Sequence, residues 1–427
     1  ILKDTYPAGV NVSTKALPTA SYVKNLEDDR WTRNYTFYDR KGRAIGTHSY
    51  NHLGGYTKNE SVLDFAGLPQ KTFTYHSRNS LTATSATIEQ TFTYDAKNRL
   101  TRHEHKVNSQ PTETLALNHY NELGQLDWKK VGGTGTALQT VDYRYNIRGW
   151  ITSVNNPDNI AAMGTDVFGY RIRYNETIKG LPVPNVNFPG LQVTKRYNGN
   201  IAEVDWNSVN ATGSQPRTAP YRFGYVYDGL NRLKAGFYQG QVNPSQRSYH
   251  EIVDQYDLNG NIQRLKRFGG TDKFGNVISM DDLVYLYSGN QVTHIDDVSG
   301  NMSGYEGGNG LIEYDANGNM VRMPDKGITN ITYNILNLPS EIQQQNTTQY
   351  LYRADGVKLK KTFMLDNGTD ITVTNTEYLD GFHYVTESAQ VAQAFLQTDD
   401  NTLSARTAAE EEVFIENEAV VRPIDPG

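Results

Sequence analysis

Apolar and polar residues alternate along most of this chain in short runs, as in Phe92-Thr93-Tyr94 and Tyr143-Arg144-Tyr145. A period of two puts successive side chains on opposite faces of a half-buried strand. The runs stop at a tyrosine followed by a small polar turn, then resume. The clearest unit is Tyr94-Asp95-Ala96-Lys97-Asn98-Arg99-Leu100. It returns at Tyr120-Asn121-Glu122-Leu123-Gly124, Tyr145-Asn146-Ile147-Arg148-Gly149, Tyr227-Asp228, Tyr256-Asp257-Leu258-Asn259-Gly260, Tyr314-Asp315-Ala316-Asn317-Gly318 and Tyr333-Asn334. Weaker copies start at Tyr38, Tyr50, Asp64, Tyr197, Tyr352 and Leu379, and one is degraded at Tyr287.

Each position of the unit has a physical job. The Tyr ends a strand. The Asp or Asn bonds its own backbone two residues on, forming an Asx-turn. The Gly or Asn four residues after the Tyr suits a left-handed backbone. The Leu or Ile two residues later restarts the alternation. A type I turn followed by a left-handed residue is a common hairpin connection, so each copy is expected to make one hairpin turn. Tyr-Asp and Gly-rich turns occur singly in any β protein; it is the array that carries the reading.

This predicts an all-β protein, an antiparallel strip of hairpin repeats with no large helical domain. Residues 1–30 read as a lead-in or preceding repeat, 31–155 and 221–384 as the repeat strip, and 156–220 as a looped insertion with a degraded repeat. Residues 270–310 read as loose and Gly-rich. Residues 385–427 read as an extended acidic tail, partly disordered, with a short helix near 407–413. The four tryptophans, Trp31, Trp128, Trp150 and Trp206, fall in or beside repeats and are expected in the core.

Composition explains how such a chain can pack. Only 37% of its 427 residues are hydrophobic, and the mean hydropathy is -0.64. Its 29 tyrosines supply large buried area with a wettable hydroxyl. The net charge of -6, with basic residues scattered, argues against nucleic acid. No run of about 18 apolar residues predicts a membrane helix. With no cysteine, disulfides, thiolate catalysis and cysteine-ligated zinc are excluded. Ile1-Leu2-Lys3-Asp4 reads as the interior of a longer protein, with any export signal outside the chain.

The candidate chemistry has simpler explanations. Asp257-Leu258-Asn259-Gly260-Asn261 and Asp315-Ala316-Asn317-Gly318-Asn319 look like the start of a calcium loop, but the twelfth positions hold Phe268 and Lys326 instead of a bidentate Glu. His103 and His105 share a strand face but lack a third and fourth zinc ligand. No nucleophile elbow, phosphate loop or His-Glu-x-x-His occurs. No enzyme activity, cofactor or metal is therefore expected, and the repeat residues named above are read as structural.

The array resembles the tyrosine–aspartate repeats of the Rhs family, which includes the polymorphic-toxin shells of bacteria and the distantly related teneurins. Asp64-Phe65-Ala66-Gly67-Leu68-Pro69, Tyr256 to Ile262 and Tyr378-Leu379-Asp380-Gly381-Phe382 look most like Rhs-repeat proteins of Bacteroidota. The resemblance covers about residues 30–384. It implies a β-sheet strip wound in a spiral around a hollow interior. It also implies a secreted or surface-displayed bacterial protein that encloses or carries a C-terminal toxin or effector. The expected partners are the rest of its own polypeptide and secretion or accessory proteins. The other function class left open is an extracellular adhesin whose exposed aromatics hold a glycan or protein. Self-cleaving members carry Asp-Pro-x-Gly. Here Asp425-Pro426-Gly427 lacks the intervening residue and is not read as a processing site; the family's core segment and toxin domain are expected beyond residue 427.

Overall fold

The structure is a computed structural model describing residues 12–79, 85–158, 160, 166–178, 191–209, 220–239, 248–368, 370–391 and 409–412. Among these residues it is antiparallel β, with a single 3-10 turn at Pro324–Lys326 and no α-helix. The all-β, antiparallel class is thus what the chain adopts. The chain divides into two compact units.

The first unit comprises Ile1–Leu115, Tyr314–Met323 and Gly327–Gly427. Its N-terminal strands run Ala20–Lys24, Trp31–Tyr38, Ala44–Tyr50, Gly54–Leu63, Pro69–Asn79, Ser85–Tyr94 and Leu100–Val107. Each pairs antiparallel with the one before it. Its C-terminal strands, Asn330–Tyr333, Pro339–Gln343, Thr347–Tyr352, Lys358–Asp366, Asp370–Leu379 and Phe382–Val391, form a second meander. Ala409–Glu412 adds a strand along Val385–Ser388. At those four residues the short helix expected near 407–413 is replaced by strand, because the edge of Phe382–Val391 offers unpaired backbone groups that an added strand satisfies. The rest of the tail, including Asp425-Pro426-Gly427, lies outside the described residues. The unit's apolar core gathers Ala86, Ile88, Leu379, Phe382 and Tyr384, with Leu53 and Val107 against it.

The second unit comprises Ala116–Glu313 and Pro324–Lys326. Successive antiparallel strands run from Leu126–Val131 to Gln291–Asp297. Phe168–Arg173 and Glu203–Ser208, both within 156–220, belong to this ladder. The core is Val193, Ala202, Val226, Ala235, Phe237 and Ile252. Within 270–310 the stretch 271–297 forms paired strands, whereas 298–310 carries turns without strand. Thr271 pairs with Val277 around a turn, and Val277–Ser288 pairs with Gln291–Asp297.

Candidate functional site

The repeat unit builds one turn many times. Asp95 N donates to Arg99 O (3.0 Å), and Asn98 N donates to Asp95 O (3.0 Å). Tyr94 then pairs with Leu100 across a register shift. This is a type I turn followed by a bulge whose residue, Asn98, has φ of 60°. Asp95 Oδ1 accepts from Lys97 N (2.8 Å) and Arg99 N (3.0 Å), and Oδ2 accepts from Arg99 Nε (2.7 Å). Those bonds, the Arg99 amide first, hold its carboxyl below the usual range.

The same backbone pair of hydrogen bonds closes the turns at Asn121–Gln125, Asn146–Trp150, Asp228–Arg232, Asp257–Asn261, Asp315–Asn319 and Asn334–Leu338. Positive φ falls on Gly124, Gly149, Asn231, Gly260, Gly318 and Asn337. The oxygens of Asp257 and Asp315 are occupied by Asn261 and Asn319. Among the described residues no group of three or more metal-ligating side chains occurs. Asp272 makes the same turn with Gly275 and Asn276. The reading by tyrosine missed it because Thr271 stands in the tyrosine's place; the spacing Asp272-x-x-Gly275 would have found it.

The tyrosine has a second job that the turn alone does not reveal. Its hydroxyl reaches back to the preceding turn and donates to the backbone carbonyl of the residue that restarts the strand there. Tyr94 binds Pro69 O (3.0 Å), Tyr145 binds Leu126 O (2.8 Å), and Tyr256 binds Leu233 O (2.6 Å). Tyr333 binds Met320 O (2.7 Å). Tyr287, in the degraded copy, binds Ile262 O (2.7 Å), and Tyr227 binds Ile201 O (2.9 Å). Each of these six tyrosines therefore staples its own turn to the one before. Side chains on the turns add further links. Asn317 and Asn319 both donate to Asn337 Oδ1, Asn259 and Asn261 to Asn290 Oδ1, and the Arg232 guanidinium lies 4.3 Å from the centre of the Tyr256 ring. Tyr197 is exposed and ends no strand.

Within the first unit, residues about 300 apart in sequence meet along a seam. Asn25 and Arg353 form an antiparallel bridge. It is flanked by Leu26 N donating to Tyr352 O and Ala354 N to Lys24 O, both 2.8 Å. Glu27 accepts from Tyr352 N (2.8 Å) and Asn334 Nδ2 (3.0 Å). Further along, Arg78 Nε donates to Glu377 Oε2 at 2.8 Å, with both side chains largely buried. His76 is fully buried and stacks on Phe382, ring centres 3.8 Å apart and planes 4° apart. Thr57 Oγ1 lies 2.8 Å from its Nδ1. Burial pushes the His76 imidazole down to about 4, against a weaker opposing pull from Asp380.

The second unit buries a charge network instead. Asp205 accepts from Arg173 Nη2 (2.7 Å) and Arg222 Nε (2.5 Å). Burial alone would raise its carboxyl, but the two guanidiniums outweigh that and hold it low. Glu203 is fully buried beside Arg173, and burial pushes its carboxyl up. These carboxylates tie neighbouring strands of the 156–220 stretch to the ladder.

The histidine pair does not converge. His103 stacks on Phe92 and bonds Gln90, whereas His105 bonds Glu113. Three tryptophans pack on neighbouring rings: Trp128 on His119, Trp150 on Tyr174, and Trp206 on Tyr221 and Phe223. Trp31 departs from expectation. It stands 45% exposed at the rim of a cleft of about 820 Å³ in the first unit, because strand alternation puts it on the same face as the exposed Arg33, turned to the cleft.

No protein-family model matches the chain, and no curated protein matches it. Among solved structures it is similar to a crystal structure of TcdB2-TccC3 without the hypervariable C-terminal region. The identity is 11% and the TM-score 0.45, over 85% of this chain and 21% of that one. It is also similar to a crystal structure of TcdB2-TccC3-TEV, at 10% identity and a TM-score of 0.43 over 85% and 21%. A Photorhabdus luminescens Tc holotoxin pore gives 11% and 0.43 over 85% and 20%. The chain thus spans about a fifth of the length of each of these chains.

Proposed function

We propose that the chain is architectural: a length of wall from the β-shell of a secreted or surface-displayed bacterial protein of Rhs type. The wall encloses or carries an effector segment of the same polypeptide and performs no catalysis itself. The observation that carries this reading is the seam, where strands near Asn25 and Arg353 are bridged through backbone and side chains within one unit. A strip whose early and late strands are fastened together has fewer open edges to aggregate. The turn aspartates support the same reading, since their oxygens are spent on the turns themselves.

Small-angle X-ray scattering on the purified chain tests it. A compact globule of this length has a radius of gyration of about 22 Å. A walled, solvent-filled body gives a clearly larger value and a distance distribution weighted toward long separations. A value near 22 Å with a solid-globule distribution, or the long tail of an open ribbon, would overturn the proposal.

A further inference from the structure

We propose that the cleft over the strands Trp31–Tyr38 and Ala44–Tyr50 binds an acidic saccharide, with aromatic faces receiving the sugar ring and Arg30 and Arg33 its carboxylate. The site is independent of the shell reading. Strand alternation puts Trp31, Arg33, Tyr35 and Phe37 on one face, and the register sets Tyr50 opposite Arg33 and His48 opposite Tyr35. All of them line the cleft. Its volume, about 820 Å³, falls in the range of small-molecule sites, about 300–1,000 Å³.

The polar groups define the ligand. His52 is 9% exposed, and among the described residues its Nδ1 has no hydrogen-bond partner; His48 Nε2 is likewise buried and unpartnered among them. Both line the cleft. Buried polar atoms in native proteins nearly always have a partner. Burial holds both imidazoles below their usual range. A neutral imidazole has one donor and one acceptor nitrogen, which suits a sugar hydroxyl. Asp29 at the rim is already paired with Lys24 at 2.6 Å. Arg30 and Arg33 are exposed and enter no ion pair among the described residues, so the cleft carries net positive charge. A guanidinium fork matches a carboxylate.

The same charge disfavours a cationic ligand in the aromatic rings, since Lys58 already sits over Tyr50 and Tyr56. A nucleobase is disfavoured by ring geometry. Tyr22, Tyr35 and Tyr50 pack edge to face, with planes at 87° and 80°, and leave no parallel pair to sandwich a flat base. A pyranose needs only one exposed face, and Trp31, 45% exposed, provides it.

Calorimetric titration of the whole chain tests this with four probes: a galacturonic-acid tetrasaccharide, its neutral galactose counterpart, acetate, and a short single-stranded oligodeoxynucleotide. The acidic tetrasaccharide should bind at least tenfold more tightly than the neutral one, and acetate should not bind measurably. Trp31→Ala and Arg33→Ala should each weaken binding tenfold or more. Trp31 and Arg33 are exposed, so unchanged melting temperatures will show that the variants fold. Arg33→Lys keeps the charge but not the fork and should fall between wild type and Arg33→Ala. Equal binding of acidic and neutral sugars, tighter binding of the oligonucleotide, unaltered binding by the two alanine variants, or no binding by the acidic sugar would each overturn the proposal.

Discussion

Acidification should loosen the seam through His76. The imidazole is fully buried against Phe382, with Tyr384 5.8 Å away. Asp380 favours the imidazolium only weakly. The ring takes up its proton near pH 4 in the folded chain, against an ordinary value of 6.5. Between those values the unfolded chain binds more protons than the folded one, so stability rises with pH. The contribution is complete above about 6.5 and is lost as the pH falls toward 4. At 1.36 kcal/mol per pH unit over roughly two and a half units, the loss is about 3 kcal/mol, a large part of the margin of a typical domain. The assay is urea unfolding at a series of pH values from 7 to 4, on wild type, His76→Phe and His76→Gln. His48, His52 and His103 are also held below their usual range by burial, so the difference between curves isolates His76. Phe keeps the stack and Gln keeps a partner for Thr57, but neither titrates. Wild type should lose about 3 kcal/mol more than either variant over this interval. Parallel curves within about 0.5 kcal/mol would refute the reasoning.

Three further outcomes follow from the turns. Tyr227→Phe removes the staple to Ile201 O and should lower the unfolding free energy by about 1 kcal/mol, whereas Tyr197→Phe, on an exposed ring, should leave it unchanged in the same denaturation assay. Gly124→Ala places a side chain at φ of 82° and should cost about 1–2 kcal/mol, measured as a shift in denaturation midpoint. The carboxyl of Asp315 is held low first by its bond to Asn319, so its contribution is present above the ordinary carboxylate range and lost as the pH falls through it. Asp315→Asn should therefore lower thermal stability at neutral pH and converge with wild type in the acid region, flattening the profile.

The turns were legible because their chemistry is local. An Asx side chain, a left-handed Gly or Asn and a restarting apolar residue all act within seven positions, as at Tyr94–Leu100. The staple was not legible, since Tyr145 reaches Leu126 O across two strands, and nothing in a single copy marks a carbonyl as an acceptor. Pairing each tyrosine with the last residue of the preceding copy would have suggested it. The seam and the cleft were further out of reach. Asn25 and Arg353 carry no shared pattern, and His52 and Trp31 acquire meaning only when register sets them beside Arg33 and Tyr35. Trp31 was expected in the core because its place beside a repeat resembles that of Trp150; which face of a strand is covered depends on partners remote in sequence.

The central claim, that early and late strands of this strip are fastened together, is tested most directly by a disulfide. The chain has no cysteine, so Asn25→Cys with Arg353→Cys introduces a single pair. Bridge partners in an antiparallel pair lie about 4.5–5.5 Å apart at Cα, within the range a disulfide spans. On mild oxidation of dilute protein, near-complete intramolecular cross-linking is expected, seen as a mobility shift on non-reducing gels, with the unfolding midpoint raised. Free thiols, or cross-links only between molecules, in a variant that remains folded would contradict it.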